Sequence, residues 1–148
     1  MLRHVPFEAD APLSPRLDAV LEFWRGLRRG QAELPFADDL DLAKSGELCP
    51  DLILLGVFEK PERFRLDLAL TPHAPQVEAD LQGKFLDELT LPPPLDYLRA
   101  QADAAVESAA PTCYRHSPAG AERRYARLVL PMWGEGQIKL LLVAIEWL

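Results

Sequence analysis

The stretch LPMWGEGQIKLLLVAIEW, Leu130 to Trp147, decides how the chain folds. Two apolar runs flank Gly134-Glu135-Gly136, the composition of a tight hairpin turn. A strand with one wet face alternates apolar and polar residues. Here Leu140, Leu141, Leu142, Val143, Ala144 and Ile145 run unbroken. Such a strand is covered on both faces, so the rest of the chain must supply two covers.

One cover is legible near the N-terminus, in SPRLDAVLEFWRGLRRG. Ser14 suits an N-cap and Pro15 the first helical position, where a missing N–H costs nothing. Leu17, Val20, Leu21, Trp24 and Leu27 recur at helical spacing, and Arg25, Arg28 and Arg29 favour the C-terminal end of the dipole. The pattern predicts an amphipathic helix over 14–30. Burying Leu21, Trp24 and Leu27 is worth on the order of 5–8 kcal/mol, so the stripe lies on the chain's own sheet or on a second copy's. Residues 1–13 are read as a flexible segment preceding a single domain, 14–148.

Between these ends, a short helical piece is expected around Leu40 to Lys44. DLILLGVFE reads as a strand apolar at both parities. RFRLDLALT follows as a half-buried strand, with Phe64, Leu66, Leu68 and Leu70 on one face. Residues 72–94 are rich in proline and read as a long connector with helical turns. LDYLRAQADAAVESAA is a helix whose buried stripe is Leu95, Leu98, Ala102, Ala105 and Val106. TCYRHS, RRYARLVLPMW and QIKLLLVAIEW complete the strands, with turns at Pro118-Ala119-Gly120 and Gly134-Glu135-Gly136. Two strands, a helical connector and three strands predict an α+β domain: a five-stranded antiparallel sheet with the connector on one face.

Composition bounds the function. The 148 residues suffice for one domain, with 49% hydrophobic and 26% charged residues, a soluble globular mixture. The apolar runs are too short to span a membrane, and the first residues have no secretory signal pattern, so a cytoplasmic protein is expected. Sixteen Lys and Arg against 23 Asp and Glu give a net charge of −7, which disfavours nucleic acid as a partner. Arg115, Arg123, Arg124 and Arg127 are read as a solvated strand edge. Two cysteines, Cys49 and Cys113, fit a reducing compartment better than a disulfide framework.

No catalytic constellation emerges. Cys113 and His116 lack the further ligands a metal site needs, and are read as a buried thiol beside an exposed strand-end imidazole. His73, within TPHAP, reads as a loop residue. Asp87 and Glu88 read as solvated or capping carboxylates at a short helical turn. No flavin-, haem- or metal-binding motif is recognised, so the cofactor is left unknown, and GEG is accounted for by the turn.

FWRGLRRGQAELP, RFRLDLALT, DLQGKFLDEL and LVLPMWGEG, in this order over roughly residues 17 to 147, resemble a family of small, often stand-alone PAS-like proteins of proteobacteria. Asp67 stands where that family tends to have Arg, and Leu70 where it tends to have Gly. The resemblance implies a PAS-like fold and a non-enzymatic sensory or regulatory role. It would act through an unidentified signalling protein or as a homodimer, with a small apolar ligand between sheet and helices. Leu66, Leu68, Phe85, Leu98, Leu128 and Leu130 are the pocket residues so expected; Leu17, Leu21, Trp24 and Leu27 are the expected interface. A second reading keeps the same elements in a cone-shaped enzyme or carrier, its pocket lined by Tyr97, Tyr114, Tyr125 and His116.

Overall fold

A computed structural model describes residues 7–59, 61–75, 77, 81–91, 94–117 and 123–148. Helix α1, Pro15–Gly26, starts where the sequence says it should: the Ser14 hydroxyl accepts from the Leu17 N–H at 3.3 Å. Ser14 Oγ also donates to the Glu146 carboxylate, tying the helix start to the last strand. The helix stops four residues before Gly30, with the Leu27 N–H turned back to the Trp24 carbonyl. Helix α2, Leu42–Leu48, is capped by the Asp41 side chain, which accepts from the Lys44 N–H.

Strands β2 (Asp51–Phe58), β3 (Arg63–Leu70), β4 (Thr112–His116), β5 (Tyr125–Gly134) and β6 (Gln137–Trp147) form an open antiparallel sheet. Helix α3, Leu98–Ser108, lies between β3 and β4 in the chain. The order across the sheet is β4-β5-β6-β2-β3. A three-residue strand β1, Phe7–Ala9, adds to the outer edge of β4, pairing Phe7 with His116 and Ala9 with Tyr114. The segment expected to be flexible thus contributes backbone pairing, and Ala11 is buried, its N–H donating to the Cys113 carbonyl. Among the described residues no helix is long and apolar enough to cross a membrane.

The unbroken apolar run now has its cause. Strand β6 is the middle of the sheet, between β5 and β2, rather than a strand near the edge. Leu141, Val143 and Ile145 face a core shared with the connector and α3, including Leu86, Leu95, Leu98 and Ala102. Leu142 and Ala144 face the other core, under Leu17, Val20, Leu21 and Trp24 of α1. The Trp24 indole N–H donates to the Pro131 carbonyl at 3.0 Å, fixing the helix on its own sheet. Leu27 packs at the margin, half-buried. The four residues expected at an interface are therefore used within the chain.

Two bulges shift the predicted faces. Leu54 pairs with Leu68 but Leu55 with Leu66, so Asp67 is an extra residue in β3. Phe64 and Leu66 face α3 with Ala69, whereas Leu68 and Leu70 lie on the α1 side of the sheet. The alternation read from the sequence holds only up to the bulge. The second bulge, at Lys139 in β6, sits just after the hairpin. That hairpin turns through Glu135 and Gly136, both at positive φ (53° and 80°). The turn expected at Pro118-Ala119-Gly120 lies outside the described residues.

Candidate functional site: a buried arginine and its aromatic stack

Polar side chains gather where α3 crosses β4 and β5. Arg127, on β5, is fully buried. Strand β5 is flanked by β4 and β6, so this arginine points into the α3 core and not to a solvated edge, as the sequence had suggested. Its Nε and Nη2 donate to Gln101 Oε1 at 3.0 and 2.7 Å. Nη1 donates to the Pro94 carbonyl at 2.6 Å, and Nη2 also to the Asp96 carbonyl at 2.8 Å. Three oxygens thus surround the guanidinium, and the chain entering α3 is pinned to the sheet by them. Burial lowers its pKa to about 9, opposed by the nearby Asp96 and Tyr114, so it stays charged at neutral pH. Burial in turn raises the Asp96 pKa, with Arg127 opposing.

This arginine orders its neighbours. Gln101 Oε1 is committed to Arg127, so the amide nitrogen faces His116 Nε2, 3.1 Å away. That nitrogen must accept, which leaves the imidazole proton on Nδ1. The His116 ring lies nearly parallel to Tyr125 (centroids 4.5 Å, 8°) and is flanked by Tyr97 at 6.5 Å. Desolvation, with the Arg127 charge added, lowers its pKa to about 3. Tyr114 is buried on the same face, paired in register with Arg127. Tyr114, Tyr125 and His116 therefore do come together, but as a buried, packed layer, with Tyr97 46% exposed at its outer side. The imidazole is wholly buried and its Nε2 occupied.

His116 was expected at an exposed strand end. Its offset of three from Cys113 puts the two on opposite faces, Cys113 in the α1 core and His116 under α3. Both thiols are buried and reduced, and burial raises both pKa values. His73 is half-exposed, with its Nδ1 2.5 Å from Oδ2 of the buried Asp51. Asp87 and Glu88, on a short 3-10 turn at Leu86–Glu88, both hold Arg63. Among the described residues, no three His, Cys, Asp or Glu side chains gather as a metal cage.

The six expected pocket residues do not converge. Leu66 and Leu98 are buried in the α3 core, whereas Leu128 and Leu130 are buried under α1 on the opposite face. Leu68 is displaced to the α1 side by the bulge. Phe85 sits outside the β3 edge, bridged to Arg65, with the Arg63 guanidinium 3.9 Å from its ring. A single sheet with one core on each face separates the two groups, so one pocket cannot use both. Gln101 and Asp96 were missed altogether. The available signal was a Gln on the apolar stripe of a helix, three residues after Leu98.

No known protein-family model matches this chain, and no curated protein or solved structure is detectably similar to it.

Proposed function

We propose that the chain is a non-catalytic regulatory module of the PAS type, working in the bacterial cytoplasm by docking to another protein. The observation that carries this is the state of the Tyr/His layer. A general acid or base needs a pKa near the working pH and a free path to its substrate. His116 has a pKa of about 3, is wholly buried, and spends its Nε2 on Gln101. Of the residues an enzyme of this shape would use, His116 is bonded instead to Gln101 of α3, which supports the non-catalytic reading. The order of strands and connector and the four family-like motifs support the same reading.

The docking surface we propose is the far end of the β5–β6 hairpin. Trp133 keeps 37% of its surface exposed there and borders a cleft of about 380 Å³ with Ala32, Leu34, Phe36 and Ala109. Its backbone is anchored: the Trp133 main-chain N–H donates to the Pro35 carbonyl at 2.8 Å. A half-exposed Trp in a largely apolar cleft is the residue type that dominates interface energies. Crosslinking in source cells tests this. Wild type is expected to form protein adducts that Trp133→Ser loses while keeping its circular dichroism spectrum. Identical adducts from both proteins would overturn the proposal. Light scattering of the purified chain then separates a second copy from a different partner.

A further inference from the structure

The two bulges seen among the described residues of the sheet deliver their extra residue to the same groove. Asp67 is the unpaired residue of β3 and Lys139 that of β6, on either side of β2. Each lies across a glycine. A Cβ on Gly56 would collide with the Asp67 carboxylate, and one on Gly134 would lie 2.9 Å from Lys139 Cδ. Bulges re-aim side chains, and a glycine within a strand marks a close approach. Two independent bulge–glycine pairs that aim an acid and a base into one groove are hard to account for by sheet twist alone.

The groove encloses about 510 Å³ on the α1 side of the sheet, beyond the end of the helix. Gly56 forms its floor, Phe58 gives it an apolar wall, and Gln137 a neutral polar one. Arg65 pairs with Asp67 and stacks over Phe58, with its guanidinium 4.8 Å from the ring centroid. Glu135 pairs with Lys139 at 2.9 Å, and Glu59 completes the charged rim. Both ion pairs are partly exposed, and such pairs exchange partners at little cost. With one strand between them, the Asp67 and Lys139 backbones stand roughly 10 Å apart, a gap that the long lysine side chain can close around a small molecule.

We infer that this groove is a binding site for a small zwitterion of the amino-acid type. Its ammonium group is held by Asp67, its carboxylate by Lys139 and Arg65, and its side chain lies on Phe58. A molecule carrying one charge satisfies one bulge and leaves the other as it was, so both charges are needed for full affinity. The site does not depend on partner docking at Trp133, which is assigned to a different cleft.

Nitrogen-15 correlation spectra of the full chain test the inference, with millimolar glycine, L-leucine or L-phenylalanine as probes. Methylammonium and acetate serve as the separated halves. At least one zwitterion is expected to shift the amides of Gly56, Asp67 and Lys139 saturably, with the halves about tenfold weaker or worse. Asp67→Asn and Lys139→Met each lose that response while leaving distant resonances in place. Gly56→Ala, which crowds Asp67 out of position, loses it through geometry instead of charge. Absence of a saturable response to all three probes overturns the inference. So does a response that survives both charge substitutions, or one matched by acetate alone.

Discussion

Replacing Trp24 by Phe tests how the second sheet face is covered. Trp24 is 2% exposed, and its indole N–H is the donor to the Pro131 carbonyl. Strand β4 begins at Thr112, opposite Val129, so Pro131 lies on the part of β5 that extends past β4. Phenylalanine keeps an aromatic ring there but removes that donor. A buried carbonyl left unpaired costs about 1–3 kcal/mol. The smaller ring removes apolar contact worth about 1 kcal/mol more. The expected loss is therefore about 2–4 kcal/mol, or about 4–16 °C in Tm for a domain of this size. Urea denaturation followed by circular dichroism reads it directly. The same titration at two protein concentrations distinguishes an intramolecular helix from one lent to a second copy. With α1 on its own sheet, the midpoint is independent of concentration; a shared helix makes it rise with concentration. A loss below about 1 kcal/mol, or a concentration-dependent midpoint, would refute the assignment of α1 to its own sheet.

Three further outcomes follow from the arginine layer and from Glu62, in the turn between β2 and β3, which faces Asp103 of α3. Gln101→Leu strips two hydrogen bonds from a buried cation and one from His116, and should cost about 3–5 kcal/mol by urea denaturation, with Gln101→Glu the milder change. The His116 pKa is depressed from 6.5 to about 3, so its contribution is complete above pH 6.5 and is lost as pH falls towards 3. Comparing midpoints of wild type and His116→Phe across that window should show the difference, and parallel curves would count against it. Glu62 is raised from 4.5 to about 7, chiefly by hydrogen bonding to Asp103, so its stabilisation is present below pH 4.5 and lost as pH rises through 7. Asp103→Asn is expected to be more stable than wild type at pH 8 and indistinguishable in slope below pH 4.5.

What the sequence revealed and what it hid divide along a physical line. Periodicity reports which residues an element buries, and it placed α1, α3 and the late strands because apolar stripes act over whole elements. It also required covers on both sides of β6, and the chain supplies them from α1 and from the connector with α3. Register is a different matter. A single extra residue at Asp67 sends Leu66 and Leu68 to opposite faces, and no local pattern in RFRLDLALT announces it. Leu128 and Leu130 failed as partners of Leu66 for a related reason: period two assigns them to one face together, but says nothing of which face. The buried Arg127 was hidden because charge in a strand is ordinarily solvated, and its oxygens come from Pro94, Asp96 and Gln101, some thirty residues earlier.

The Leu130–Trp147 hairpin joins these points. Its apolar length is explained by central position, and so carries no functional message of its own. The departures from apolar regularity are where the two proposed sites lie: Trp133, left half-exposed at the tip, and Lys139, pushed out of register beside Gly134. A central hairpin without function gains stability from an unbroken ladder, since each bulge leaves a residue unpaired. Here the break sits within a few residues of the turn, where the ladder loses least, and it turns a lysine towards the strand that also receives Asp67. In β3, Asp67 likewise displaces an otherwise regular alternation. Asp67 is an anion in a groove that also holds a lysine from the neighbouring hairpin. Asp67→Arg sets three cations, with Arg65 and Lys139, around the Gly56 floor, and is expected to shift the Gly56 and Lys139 amides; unmoved signals would count against a shared groove.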